Sequence, residues 1–190
     1  MRHALIALAV TLSVAACSSA PDRTVPAAPA ADPAPSASIA QQAVANLASA
    51  SGSLVSGKVT LVPMGNGVHL TGEVGGLPPN SKHGFHVHQK GDCSAADASS
   101  AGDHFNPFNA PHGKASSGTH HAGDMDNITS NAQGVAKIDM HVAGVTLGGG
   151  AANDIAGRGL IVHAAPDDYQ TQPTGNAGAR LACAVITVTR

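Results

Sequence analysis

Strand-forming residues at 55–62 and 68–74 flank Met64-Gly65-Asn66-Gly67, whose Asn-Gly step favours a tight hairpin, so the two runs are expected to pair antiparallel. After a Gly-Gly-Leu-Pro-Pro-Asn break, residues 83–88 alternate about Phe85 and Val87, which puts His86 and His88 on one face of a third strand. Strand-like runs return at 134–142, 159–164 and 181–189, separated by Gly-rich turns. The spacing of apolar residues at 39–47 is irregular and allows at most a short helix. Between 91 and 131 all periodicity stops, and Gly, Ser, Asp, Asn, His and Pro dominate. So long a stretch without regular structure implies a function or something that ties it down. The pattern is that of an all-β sandwich or Greek-key barrel carrying one very long loop.

Composition divides the chain once. All 22 Gly lie at Gly52 or later, and five of the 12 Pro fall between Pro21 and Pro35, which implies one domain, residues 52–190, behind an N-terminal leader. With Lys plus Arg 10 against Asp plus Glu 12, a net charge of -2 gives nucleic acid no electrostatic footing. The aromatics are three Phe and one Tyr, with no Trp, so the core must be built from aliphatic residues.

The leader changes the expected compartment. Arg2, an uncharged apolar run over residues 4–14 and small residues before Cys17 have the layout of a secretory signal over 1–16, too short to span a bilayer. Val14-Ala15-Ala16-Cys17 resembles the bacterial lipoprotein signal, in which the cysteine becomes the lipidated first residue. From there to Ser51 the Ala/Pro/Ser composition, with only Asp22, Arg23 and Asp32 charged, reads as a flexible tether, so 17–51 is expected to be a lipidated linker. Setting Cys17 aside leaves Cys93 and Cys183, an even pair whose default state in an exported protein is a disulfide.

Histidine is the outlier. Seven of the 11 His lie between His83 and His121, a concentration that solvent-facing filler does not explain. His86-Val87-His88 aims two imidazoles at one point, His104, His112 and His121-Ala122-Gly123-Asp124 follow on the long loop, and His163 sits on an apolar strand as either a structural residue or a ligand. Six histidines and Asp124 make seven candidate ligands, one short of two four-coordinate ions unless one ligand is shared. His120 competes with His121 for the position beside Asp124; His83 reads as hydrogen-bonded and structural, and His69 and His141 as exposed.

Gly84-Phe85-His86-Val87-His88, residues 102–107, His121-Ala122-Gly123-Asp124, Val162-His163 and the run from Thr174 to Cys183 together resemble, in order, the motifs of copper/zinc superoxide dismutases, over about residues 57–189. With Cys93 directly after Gly91-Asp92, and with its leader, the chain resembles the bacterial, exported lipoprotein form. That resemblance implies an eight-stranded Greek-key β-barrel, an immunoglobulin-like sandwich with long metal-binding loops. It implies copper on His86, His88, His104 and His163, and zinc on His104, His112, His121 and Asp124, with His104 bridging and taking part in catalysis. It further implies that Arg180 guides superoxide, that Asp167, with Asp168 as neighbouring competitor, links copper and zinc ligands by hydrogen bonds, and that Cys93 and Cys183 pin the loop near Arg180. The activity would be dismutation of superoxide to oxygen and hydrogen peroxide in the periplasm or cell envelope, protecting against extracytoplasmic oxidative damage. The membrane would be met only through the lipid on Cys17, at the outer membrane in a Gram-negative cell. A homodimer is possible, but bacterial and eukaryotic members differ in subunit contacts, so the assembly does not carry over. Only 16 residues and no lysine separate His163 from Arg180, so that loop offers no cation for steering, which is expected to fall to Lys90 or Lys114.

Two other classes are weaker. A copper carrier would need neither Arg180 nor a zinc set, and a binuclear zinc hydrolase would need a carboxylate at Lys90 and a histidine at Gly91.

Overall fold

The structure, a computed structural model, describes residues 38–190. The expected signal at 1–16 and the lipidation site Cys17 lie outside the described residues. Ten strands account for the regular structure: β1 Ala43–Ser49, β2 Ser56–Met64, β3 Gly67–Gly75, β4 Lys82–His83, β5 Phe85–His88, β6 Ile128–Thr129, β7 Ala136–Ala143, β8 Gly159–His163, β9 Arg180–Val185 and β10 Thr187–Val188. Among the described residues the one helical element is a single 3₁₀ turn, Ser99–Ala101, and no helix is long and apolar enough to cross a membrane.

The sheet runs β5-β8-β9-β1-β2-β3-β7, with β10 also on β1. Its two ends are joined because β4, continuous with β5 through Gly84, pairs with β6, and Ser130 just beyond β6 bridges Ala136 at the start of β7. That closure makes a barrel, and the jumps from β3 to β5 and from β7 to β8 are Greek-key crossovers. The hairpin from β2 to β3 forms as the Asn-Gly signal requires, with Met64 opposite Gly67. Leu61, Leu70, Ile138, Leu147, Leu160, Ile186 and Phe85 fill the interior.

The expected linker and short helix before residue 51 do not hold over their last part. Residues 43–49 form β1, which pairs with β2 on one side and with β9 and β10 on the other. Ala43, Ala45 and Leu47 point inward while Asn46 is exposed, a period of two written mostly in alanine. Small residues suit a strand in mid-sheet, but they carry too little hydrophobic contrast to stand out from an Ala/Ser tether.

β8 is buried along its whole length. Leu160 and Val162 enter the main core, whereas Ile161, on the opposite face, packs with Ala50, Ala98, Ala101 and Cys183 in a second small cluster outside the barrel. That outer face is where the histidines lie: His86 is the register partner of Ile161, and His88 that of Gly159.

Candidate metal centre

Alternation on β5 sends Phe85 and Val87 into the core and leaves His86 and His88 on the outer face. His163 ends β8 at a register shift that sets it opposite Arg180. The long connection from 89 to 127 is laid against β5 by backbone bonds: Phe105 N–H to Val87 O at 2.8 Å, Val87 N–H to Gly123 O at 2.9 Å and Gly123 N–H to Phe105 O at 2.8 Å. A Cβ at Gly123 would stand 2.2 Å from Val87 O, so only glycine lets the loop come so close. A bridge between His88 and His104 continues the same docking.

The result is two buried donor groups that share one residue. His86, His88, His104 and His163 form one; His104, His112, His121 and Asp124 form the other, and within each the candidate ligand atoms lie within 4.8 Å of one another. All seven side chains are buried, Asp124 at 0% exposure and the most exposed, His121, at 5%.

Hydrogen bonds to the remaining ring atoms fix which nitrogens are available. His88 Nδ1–H donates to Gly102 O at 2.8 Å and His163 Nδ1–H to Gly178 O at 3.2 Å, so their Nε2 lone pairs confront each other at 3.3 Å. His86 Nε2–H donates to Asp167 Oδ2 at 2.8 Å, leaving Nδ1 buried without a partner, and His104 Nε2 is equally orphaned. In the second group His112 Nε2–H donates to Asp167 Oδ1 at 2.9 Å, which turns Nδ1 onto Asp124 Oδ2 at 3.0 Å. His121 Nδ1 lies 3.2 Å from Asp124 Oδ1, yet neither it nor His112 Nδ1 is aligned for a hydrogen bond. Lone pairs that converge in a dry interior repel unless a cation lies between them, so this donor set fits bound metal.

Burial, with repulsion from His86, pushes His163 down to about 3. Burial also holds His88 well below the ordinary imidazole range and brings His104 to about 4. These three rings are therefore neutral at physiological pH, the state in which imidazole binds metal. His112 also loses solvation, but its contacts with Asp124 and Asp167 outweigh that loss and raise it to about 9. The hydrogen bond from His104, with the rings of His112 and His121 close by, keeps Asp124 an anion despite its burial, far below the usual carboxylate range.

Asp167 spans the two groups through His86 and His112. Tyr169 N–H donates to its Oδ1 at 2.7 Å, and Asn127 clamps its backbone on both sides. Asp168 faces outward and caps Gln170 and Thr171. Sequence reading missed Asn127, Gln172, whose amide bonds both backbone groups of His112, and Gly175. At Gly175, φ is +64° and an added Cβ would fall 1.8 Å from Asp167 Oδ1 and 2.6 Å from His112 Nε2. The surrounding Thr-Gly-Asn motif was the only signal for it.

Arg180 Nη1 donates to Ala98 O and Nη2 to Gly102 O, both at 2.6 Å. The segment carrying these carbonyls is tied down by the Cys93–Cys183 disulfide, with Cα atoms 5.8 Å apart and a sequence separation of 90. His83 bonds His163 O through Nδ1 and Ser81 Oγ through Nε2, His141 is exposed, His69 is only half-buried and lies against Asp139, and His120 stays out of both donor groups.

The model of the copper/zinc superoxide dismutase family matches residues 55–186. The chain belongs to that family. It is 41% identical over 133 residues to superoxide dismutase [Cu-Zn] 1 of Aquifex aeolicus, covering 68% of this chain and 79% of the relative. To superoxide dismutase [Cu-Zn] 2 of the same organism it is 39% identical over 156 residues, 80% and 91% of the two chains. Among solved structures, that of the clock protein EA4 superposes with a TM-score of 0.71 at 34% identity, covering 79% of this chain and 96% of the other. The chain is accordingly a copper- and zinc-dependent superoxide dismutase, and the barrel is this family's fold.

Proposed function

We propose that copper is held by His86, His88, His104 and His163, zinc by His104, His112, His121 and Asp124, and that superoxide meets the copper side under the guidance of Arg180. The observation that carries the partition is that His104 stands in both donor groups, with its buried Nε2 unpartnered and its Nδ1 2.8 Å from Asp124 Oδ1. An all-nitrogen set suits copper and a set with one carboxylate suits zinc. When bound, copper supplies the one-electron redox chemistry of dismutation and zinc holds the shared imidazole in place.

The chain's own side chains do the rest. Asp167 fixes the tautomers of His86 and His112 by accepting from both Nε2 atoms, and Gly102 and Gly178 do the same for His88 and His163 through Nδ1. Arg180 cannot be deprotonated at physiological pH, so it offers a permanent cation to a small anion. Its η-nitrogens are held to backbone carbonyls, so it receives the anion without first having to order itself.

The setting belongs to the same proposal. The layout of residues 1–17 and the disulfide support export, lipidation at Cys17 and a role in intercepting superoxide outside the cytoplasmic membrane, whose apolar interior an anion crosses poorly. Cys17→Ser should release active enzyme from the membrane fraction. Wild-type protein recovered in soluble form would overturn the anchor and leave the enzymatic reading intact.

Metal content with a superoxide-decay assay tests the partition. His163→Ala should abolish dismutation while zinc remains, and His112→Ala should loosen zinc first. Equal loss of both metals in both variants would refute it.

A further inference from the structure

Arg158 immediately precedes β8, and its backbone is fixed on both sides: its N–H donates to Ile155 O at 3.2 Å and its carbonyl accepts from Ile186 N–H at 2.9 Å. From that base the half-buried side chain reaches two segments well apart in sequence. Nη1 donates to Gln89 O at 2.6 Å, Nε donates to Asp154 O at 3.2 Å, and the guanidinium carbon lies 4.2 Å from the centre of the Phe105 ring. Gln89 is the residue after His88, and Phe105 the residue after His104. Phe105 is packed into the main core, so the guanidinium lies against a ring that the barrel itself holds. The same two segments pair through Gln89 N–H to Asp103 O at 2.9 Å, Phe105 N–H to Val87 O at 2.8 Å and the bridge between His88 and His104. From that short ladder the rings of His88 and His104 project with their centres 5.1 Å apart. The contact suits arginine in particular. A guanidinium offers in-plane N–H groups to carbonyl oxygens and a flat face to an aromatic ring at once, which an ammonium cannot do.

We propose that Arg158 is a positioning residue for copper: it clamps the segment after His88 to the segment after His104 and so sets the separation of two of the four copper donors. This rests on the metal partition given above. The ties of His112 and Asp124 run instead through Asp167, Gln172 and the backbone N–H groups of Gly113 and His121, so the clamp acts on the copper side.

The test compares the full chain with Arg158→Gln, which loses the charge and the fork, and Arg158→Lys, which keeps the charge but loses the fork and the flat face. In metal-free protein, hydrogen exchange at the Gln89 and Phe105 amides should be roughly tenfold faster in both variants, as the loss of a charge-assisted hydrogen bond and a cation–π contact requires, with exchange in β2 and β3 unchanged. With both metals bound, copper should pass to a chelator faster in both variants and its Cu(II) absorption and EPR spectra should change, while zinc leaves at the wild-type rate. Wild-type exchange at those two amides, full rescue by Arg158→Lys, or unchanged copper retention and spectra would overturn the positioning role. Faster exchange with zinc loosened in place of copper would overturn it from the other side, by refuting the metal partition while the clamp itself stands.

Discussion

The two donor groups share His104 but are built by different means. Three of the four residues in the all-histidine group stand on strands, His86 and His88 on β5 and His163 on β8. In the other group His112, His121 and Asp124 all belong to the 39-residue connection between β5 and β6. The barrel's own ladder therefore places the backbone of three of the first group's four residues, and single hydrogen bonds to Asp167, Gly102 and Gly178 orient their rings. The second rests on side-chain ties: Asp124 accepts from Gly113 and His121 backbone N–H groups, Gln172 holds the backbone of His112, and Asp167 holds its ring. Strand-built positions cost no extra ordering once the sheet exists, whereas a loop must offset the entropy of every residue it fixes.

The largest effect comes from removing what both groups depend on. A chain beginning at Gly52 lacks β1, and opening the sheet between β2 and β9 should abolish folding. A chain beginning at Ser38 keeps the strand and should fold. Circular dichroism melts and metal content should separate the two; equal melting would show that β1 is dispensable and that the barrel tolerates an open seam.

Removal of the disulfide should act unequally. Cys93→Ser with Cys183→Ser frees a loop closed over 90 residues and should cost about 4–5 kcal/mol in the chain-entropy model, read by denaturant unfolding. In the fraction that stays folded, activity per bound copper should fall, because Ala98 and Gly102 no longer hold Arg180 in place, while zinc content should hold. Zinc lost in proportion to activity would mean that the ties of the loop-built group run through the disulfide segment.

The smallest effect should fall on the link between the groups. Gly175→Ala forces a methyl group against Asp167 and His112 at a left-handed φ, and should cost about 1–3 kcal/mol. Faster zinc removal by a chelator, with copper retention unchanged, is the expected sign. Equal loosening of both metals would make Asp167 a common support and erase the contrast.

What was legible in the sequence follows the same divide. His86-Val87-His88 could be read because a strand's period of two fixes where side chains point, and the β2–β3 hairpin because Asn66-Gly67 has few other uses. β1 escaped notice because its inward positions are Ala43, Ala45 and Leu47 amid a Ser/Ala-rich stretch, and alanine marks burial weakly. Asn127, Gln172 and Gly175 escaped because a polar loop residue has no periodicity to betray which partner it will meet. The candidate ligands on the loop stood out by the concentration of histidine, and motif order divided them between two ions, but neither signal says how the chain returns to β5.

Gly102 offers its carbonyl oxygen to His88 Nδ1 and to Arg180 Nη2 at once. One atom thus serves as the common origin from which the ring proposed to hold copper and the cation proposed to guide superoxide are both measured. A displacement of that one oxygen would be felt by the imidazole and the guanidinium at once, so the two orientations are coupled through a single backbone atom although they stand on different strands.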